Sequence, residues 1–176
     1  MASATTVSGD VASLARAAAG GDHEAFRQLY QRFSRAVHGV LVASVPHDVA
    51  EDLVQDVFTH AYTRLADLRE PAAFAGWVCA IARRAAADHH RRRHLEEPLV
   101  DAMASRDAPD VTAEARRVLA IIQTLPEAYR ETLVLRLVEG YSGPEIAELT
   151  GLSHGSVRVN LHRGFRLLRD KLGVTS

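Results

Sequence analysis

The stretch "GLSHGSVRVNLHRGFRLLRDKL", residues 151–172, alternates two kinds of chemistry. Val157, Leu161, Phe165, Leu168 and Leu172 form an apolar stripe at helical spacing, and Arg158, His162, Arg163, Arg166, Arg169 and Lys171 stand between them. Guanidinium groups donate in a planar fork that fits phosphate oxygens and the O6/N7 edge of guanine. A second basic run, "IARRAAADHHRRRH" at 81–94, holds five arginines, three histidines and one acid, a net +4 with neutral histidine. Phe74 and Trp77 stand just upstream. A basic helix beside aromatic rings can stack unpaired bases and follow a single strand. The alternative for both rings is plain burial in a helical core. A third cluster has the opposite sign: "PHDVAEDLVQDVF", residues 46–58, carries Asp48, Glu51, Asp52 and Asp56 with no Lys or Arg. It reads either as a solvated helix face with acids near the N-terminus or as a docking surface for a basic protein.

Other chemistry finds no residues to carry it. The sequence has no nucleophilic triad, Gly-rich phosphate loop or Cys/His ligand spacing, so no catalysis, cofactor or metal is expected. His90 and His94 are four apart, as metal ligands can be, but the flanking arginines repel a cation. The one cysteine, Cys79, lies in the apolar "FAGWVCAIA" and reads as a buried structural thiol, with no internal disulfide possible. Lys plus Arg is 21 against 22 Asp plus Glu, so the basic surfaces are local and balanced by acidic ones elsewhere. No apolar run approaches the roughly 20 residues of a membrane span, and "MASATTVSGD" lacks the basic start and apolar stretch of a secretory signal. A cytoplasmic protein without membrane insertion is the expectation.

The elements that must position these residues are helical almost throughout. The periodicity predicts helices over Val11 to Ala19, from Asp22 to before Pro46, from Asp48 to Ala66, and from Ala72 through "DHHRRRH". Their inward faces are expected to carry Phe26, Leu29, Tyr30, Phe33, Val37 and Leu41; then Leu53, Val57, Ala61 and Leu65; then Phe74, Trp77, Val78, Ile81 and Ala85. Residues 95–112, "LEEPLVDAMASRDAPDVT", hold two prolines, five acids and one arginine, and read as an acidic flexible linker. Helices at 113–124, 127–139, 144–149 and 154–172 follow. The fold class is all-α: two small helical domains, 1–94 and 113–176, joined by the linker 95–112.

The second domain has the punctuation of a helix-turn-helix. Ser142 with Glu145 three residues on fits a capping box, Pro144 suits a first turn, Gly151 ends the short helix, and Ser153 can cap the long one. Such a pair sets the start of its second helix in the major groove. His154, Ser156, Arg158, Val159 and His162 are then expected near base edges, and Arg163, Arg166 and Arg169 toward phosphates.

Three segments in this order resemble the extracytoplasmic-function (ECF) sigma factors of bacterial RNA polymerase, members of the sigma-70 family. "AEDLVQDVF" is similar to the segment that grips the polymerase clamp helices. "FAGWVCAIARRAAADHHRRR" is similar to the helix for the promoter −10 element. "LPEAYRETLVLRLVEGYSGPEIAELTGLSHGSVRVNLHRGFRLLRDKL" is similar to the domain that reads the −35 element. The resemblance implies that Asp52, Gln55 and Asp56 contact core RNA polymerase. It implies that the loop from Asp67 to Ala73 receives a flipped base, that Arg83, Arg84, Asp88 and Arg91 line the −10 strand beside Phe74 and Trp77, and that Arg158, Val159, His162 and Arg163 meet the −35 groove. It also implies control by a separate protein, typically an anti-sigma factor, or by expression level. Two positions depart from the family pattern. Arg84 stands where Asn is common, and it can only donate. Val159-Asn160 replaces a common Ser-Arg pair, offering an apolar contact suited to a thymine methyl.

The function expected is promoter-specific transcription initiation, as an alternative sigma factor without catalytic activity. The competing readings are a stand-alone helix-turn-helix regulator of duplex DNA and a helical interaction protein that binds no DNA.

Overall fold

The computed structural model describes residues 3–96 and 113–173, and every regular element among them is helical. The first half contains α1 (Ser3–Ala19), α2 (His23–Val42), α3 (His47–Arg64) and α4 (Phe74–Glu96). The second contains α5 (Ala113–Gln123), α6 (Glu127–Leu137), α7 (Gly143–Thr150) and α8 (His154–Leu172). Two single 3₁₀ turns, Leu65–Asp67 and Pro71–Ala73, lead from α3 to α4. Helix α1 begins well before the expected Val11. Residues 97–112, most of the linker read from the sequence, lie outside the described residues.

The breaks have local causes. Gly21 takes φ +97°, where a side chain would be strained, and the Asp22 carboxylate then accepts from the Glu24 and Ala25 amides at 2.9 and 3.0 Å. These bonds satisfy two of the orphan donors at the start of α2. Pro46 stands immediately before α3 and Pro71 opens the second 3₁₀ turn, each removing a donor the preceding helix would need to continue.

The expected inward faces are largely buried, with Phe26 and Tyr30 on α2 less so and Trp77, Ile81 and Ala85 on α4 half-buried against the core. Leu29, Val37, Leu41, Val57, Ala61 and Val78 are at most 1% exposed. Phe26 is half-buried and Tyr30 is 39% exposed. In the second half Leu125, Leu133, Leu135, Ile146 and Val157 are sealed. Cys79 is buried as expected, and burial pushes its thiol up to about 12, far from any nucleophilic role.

The two halves share one continuous apolar core. Helix α6 lies against α2 and α7 against α4. Glycines allow the close approach. A Cβ on Gly39 would stand 2.8 Å from Glu139 Cγ and 3.2 Å from Leu135 Cδ2, and one on Gly76 would stand 3.2 Å from the Glu148 carbonyl oxygen. Polar clasps cross the seam at three points among the described residues. The Gln123 side-chain amide donates to the carbonyls of Val42 (2.8 Å) and Val45 (3.2 Å), where α2 has run out of partners. Arg35 and His38 on α2 meet the Glu139 carboxylate, each at 3.2 Å. Arg83 on α4 makes a forked pair with Glu131 on α6.

Candidate nucleic-acid interface

The helix-turn-helix is built as its sequence punctuation requires. Glu145 accepts from the Ser142 amide at 2.8 Å and from the Ser142 hydroxyl at 2.5 Å. The two bonds hold its carboxyl below the usual carboxylate range. Gly151 closes α7 in the left-handed region, φ +72°, donating to the Ala147 carbonyl at 2.9 Å. Ser153 Oγ accepts from the Ser156 amide at 3.1 Å and starts α8. Val157 and Leu168 anchor the helix in the core, with Leu161, Phe165 and Leu172 half-buried beside them.

The opposite face of α8 is open. His154, Arg158, Val159, His162, Arg163 and Arg166 are all exposed, Val159 at 42% despite its apolar side chain. Ser156 is half-buried, with its hydroxyl 2.9 Å from the Ser153 hydroxyl. Asn160 has a structural role: its side-chain amide donates to the Ala128 carbonyl at 3.0 Å and ties α8 to the start of α6. Of the Val159-Asn160 departure, only Val159 therefore faces outward.

Helix α4 divides the expected −10 residues. Phe74 is 0% exposed, so it is a core ring and not a stacking platform. The reason is that α4 begins at this residue, and the first turn directs the ring between Phe33 (centroids 5.4 Å) and Trp77 (5.9 Å). Trp77 is half-buried. Arg84 and Arg91 are exposed, and Asp88 is half-buried in an ion pair with Arg91 one turn on. Arg83 is half-buried, engaged in its forked pair with Glu131 and in a 2.8 Å bond to the Leu149 carbonyl. Burial works against its charge, and the Glu131 carboxylate outweighs burial, so its pKa is raised.

His89 on the same helix has its Nε2 closed off from solvent with no hydrogen-bond partner among the described residues. Burial first, then the charges of His90, Arg93 and Arg92, lower its pKa from the usual 6.5, and Asp48 opposes them weakly. The folded state therefore binds the His89 proton less tightly than the unfolded chain, which takes it up first. Its contribution to stability is complete above about pH 6.5 and is lost as pH falls below it. Melting temperature should drop between pH 7.5 and 5.5, and His89→Gln should flatten part of that slope. Parallel pH–melting curves for parent and variant would exclude His89 as a source.

On α3, Asp52, Gln55 and Asp56 are exposed while Leu53 and Val57 point inward. Sequence reasoning missed what adjoins them. Phe26 and Tyr30 on α2 and Phe58 and Tyr62 on α3, each pair four residues apart, interlock edge to face at 4.7 to 6.3 Å. With Gln55 they line a shallow cup in which Tyr30 and Tyr62 are 39% and 38% exposed. Two aromatic i,i+4 pairs on successive helices were the available signal. The seam residues Glu131, Glu139 and Gln123 were also missed; nothing in their spacing marks them.

This geometry agrees with comparisons to known proteins. Residues 29–96 match the Sigma-70 region 2 family, and residues 115–168 match Sigma-70, region 4. The RNA polymerase sigma factor CarQ of Myxococcus xanthus is 36% identical over 165 residues, covering 87% of this chain and 92% of CarQ. The ECF RNA polymerase sigma factor SigM of Mycobacterium tuberculosis is 30% identical, covering 92% of this chain and 84% of SigM. Among solved structures, CnrH in complex with the cytosolic domain of CnrY superposes with a TM-score of 0.69 at 27% identity, covering 95% of this chain and 99% of CnrH. The chain belongs to the sigma-70 family, in its ECF branch, whose members are transcription initiation factors. Its function is that of an alternative sigma factor directing promoter-specific initiation.

Proposed function

We propose that this factor divides its work among the three surfaces as follows. The exposed carboxylates of Asp52 and Asp56, with Gln55, dock on the basic clamp helices of core RNA polymerase, and the Phe26/Tyr30/Phe58/Tyr62 cup gives the contact an apolar floor. Arg83, Arg84 and Arg91, with Trp77 nearby, follow the −10 strand. Helix α8 enters the −35 major groove through His154, Ser156, Arg158, Val159 and His162, with Arg163 and Arg166 on phosphates. The observation that carries this reading is the open basic face of α8 behind a correctly capped helix-turn-helix. The chain itself binds and positions; polymerase performs the chemistry, in the cytoplasm. A protein partner that holds the factor inactive is supported by CnrH, whose solved complex contains the cytosolic domain of CnrY.

Run-off transcription with core polymerase on a library randomised at both elements tests the assignment. No enriched promoter would refute it. Within that experiment, Arg158→Ala should relax selection at one or two −35 base pairs, since a bidentate Arg–guanine contact is worth about 1–3 kcal/mol. An unchanged preferred sequence would remove Arg158 from the base-reading set.

A further inference from the structure

The open face of α8 is polar except at one point. Val159 is the one exposed apolar side chain of this helix, at 42%, beside Arg158 and one turn before His162 and Arg163. It belongs neither to the core nor to the residues packed against it. Its neighbour Asn160 turns the other way, donating to the Ala128 carbonyl at 3.0 Å, and so fixes which way Val159 points. An isopropyl group left in water gains nothing in the free protein. Its gain comes only when another apolar surface covers it.

A second observation concerns the turn before it. A helical side chain leans over the turn N-terminal to its own position, and the residue four before Val159 is Gly155. Beyond the helix's own backbone, a Cβ at 155 would meet only Ser153 Oγ, at the ordinary contact distance of 3.8 Å. Nor is Gly155 among the glycines with positive φ. The fold has no need of glycine here, although glycine is among the poorest helix formers. Its missing side chain leaves Val159 uncovered. Ser156, three before Val159, has its hydroxyl engaged with Ser153 at 2.9 Å. Val159 and Gly155 therefore form an apolar notch on a cationic face.

The apolar feature of base edges in the major groove is the C5-methyl group of thymine. 5-Methylcytosine carries the same group at the same place; uracil and cytosine lack it. We propose that Val159, over the gap left by Gly155, reads the C5-methyl group of one pyrimidine in the −35 element, accepting thymine or 5-methylcytosine and discriminating against uracil and unmodified cytosine. The proposal rests on the −35 role given to α8 above and names the chemical group read at one base pair. Selectivity of this kind comes from apolar fit, so it persists at salt concentrations that weaken phosphate contacts. It also makes promoter choice responsive to cytosine methylation at that position.

The test uses holoenzyme, the full chain with core polymerase, on promoters carrying the −35 sequence enriched from a randomised library. Each thymine of that element, on either strand, is replaced in turn by uracil, which removes one methyl group and no hydrogen-bonding atom. At one position uracil should weaken binding about three- to fivefold, the effect of withdrawing one methyl group from apolar contact. At the same position 5-methylcytosine should bind better than cytosine by a similar factor. Both ratios should persist as added salt lowers the overall affinity. Val159→Ser and Gly155→Gln, both at exposed positions, should bring the thymine-to-uracil ratio close to one, and melting curves confirm that each variant is folded. The thymine–uracil comparison on the parent needs no variant, so it decides even where a variant fails to fold. An enriched element without thymine, uracil bound as well as thymine throughout, 5-methylcytosine bound no better than cytosine, or a parental ratio in either folded variant overturns the proposal. A holoenzyme that enriches no −35 sequence refutes the reading of α8 itself. One that enriches a sequence and fails the uracil comparison refutes the methyl contact alone.

Discussion

Reversing two charges on α3, Asp52→Arg with Asp56→Arg, is expected to abolish holoenzyme assembly while the free protein stays folded. The two carboxylates are four residues apart and share an exposed face, one step round from the buried Leu53 and Val57. Neither makes an ion pair among the described residues. Exposed charges change stability by under about 1 kcal/mol, so reversal should leave the helices intact. Against a basic partner the same reversal sets like charges together and costs several kcal/mol, roughly a thousandfold or more in affinity. Circular dichroism and co-purification with core polymerase, measured on one sample, check both halves of the statement. A folded double mutant that co-purifies at parental levels would remove α3 from the docking surface.

The second large effect lies at the α6–α8 crossing. A Cβ on Gly164 would stand 3.0 Å from both Cγ and Cδ1 of Leu133, which is completely buried. Gly164→Ala should be close to neutral, because helix propensity favours alanine by about 1 kcal/mol and Leu133 must shift by a few tenths of an ångström. Gly164→Leu has no such balance. Three further carbons enter a packed core, an overpacking cost of about 1–3 kcal/mol or more. For a chain of this length that is a loss of about 2–12 °C in melting temperature. The recognition helix is also pushed off its seat, so binding to −35 duplex should fall sharply. A Gly164→Leu variant that melts like the parent and binds duplex equally well would show that the crossing tolerates separation.

Most of the helices were legible because their boundaries are written locally. Gly21, Pro46, Pro71 and Gly151 break the chain for stereochemical reasons, and Asp22, Ser142 and Ser153 restart it with side-chain oxygens. The faces of α3 and α8 followed from period alone. Phe74 was ambiguous because an aromatic at a helix start suits a core or a platform equally, and only the position of Phe33, contributed by α2, decides between them. The seam was illegible for a different reason. Arg83 and Glu131 are 48 residues apart, and Arg35 and Glu139 are 104 apart. Their types are those of any solvated helix surface, so no local pattern distinguishes a clasp from an exposed charge. The sequence suggested two domains on a tether; the close approaches at Gly39 and Gly76 that bring the halves together depend on which helix arrives opposite them.

Helix α2 is finished at its two ends by different parts of the molecule. Asp22, next to it in the chain, completes the start, and Gln123 completes the end from 81 and 78 residues away. Parting the halves hands the Val42 and Val45 carbonyls back to water, a net change of only about 1 kcal/mol per bond. That exchange is small enough to be reversible, yet it moves one amide group from a half-buried, doubly anchored setting into solvent. The Gln123 side-chain NH₂ is thus a native spectroscopic reporter: its two proton resonances should register, without any attached label, whether a given molecule is shut or open.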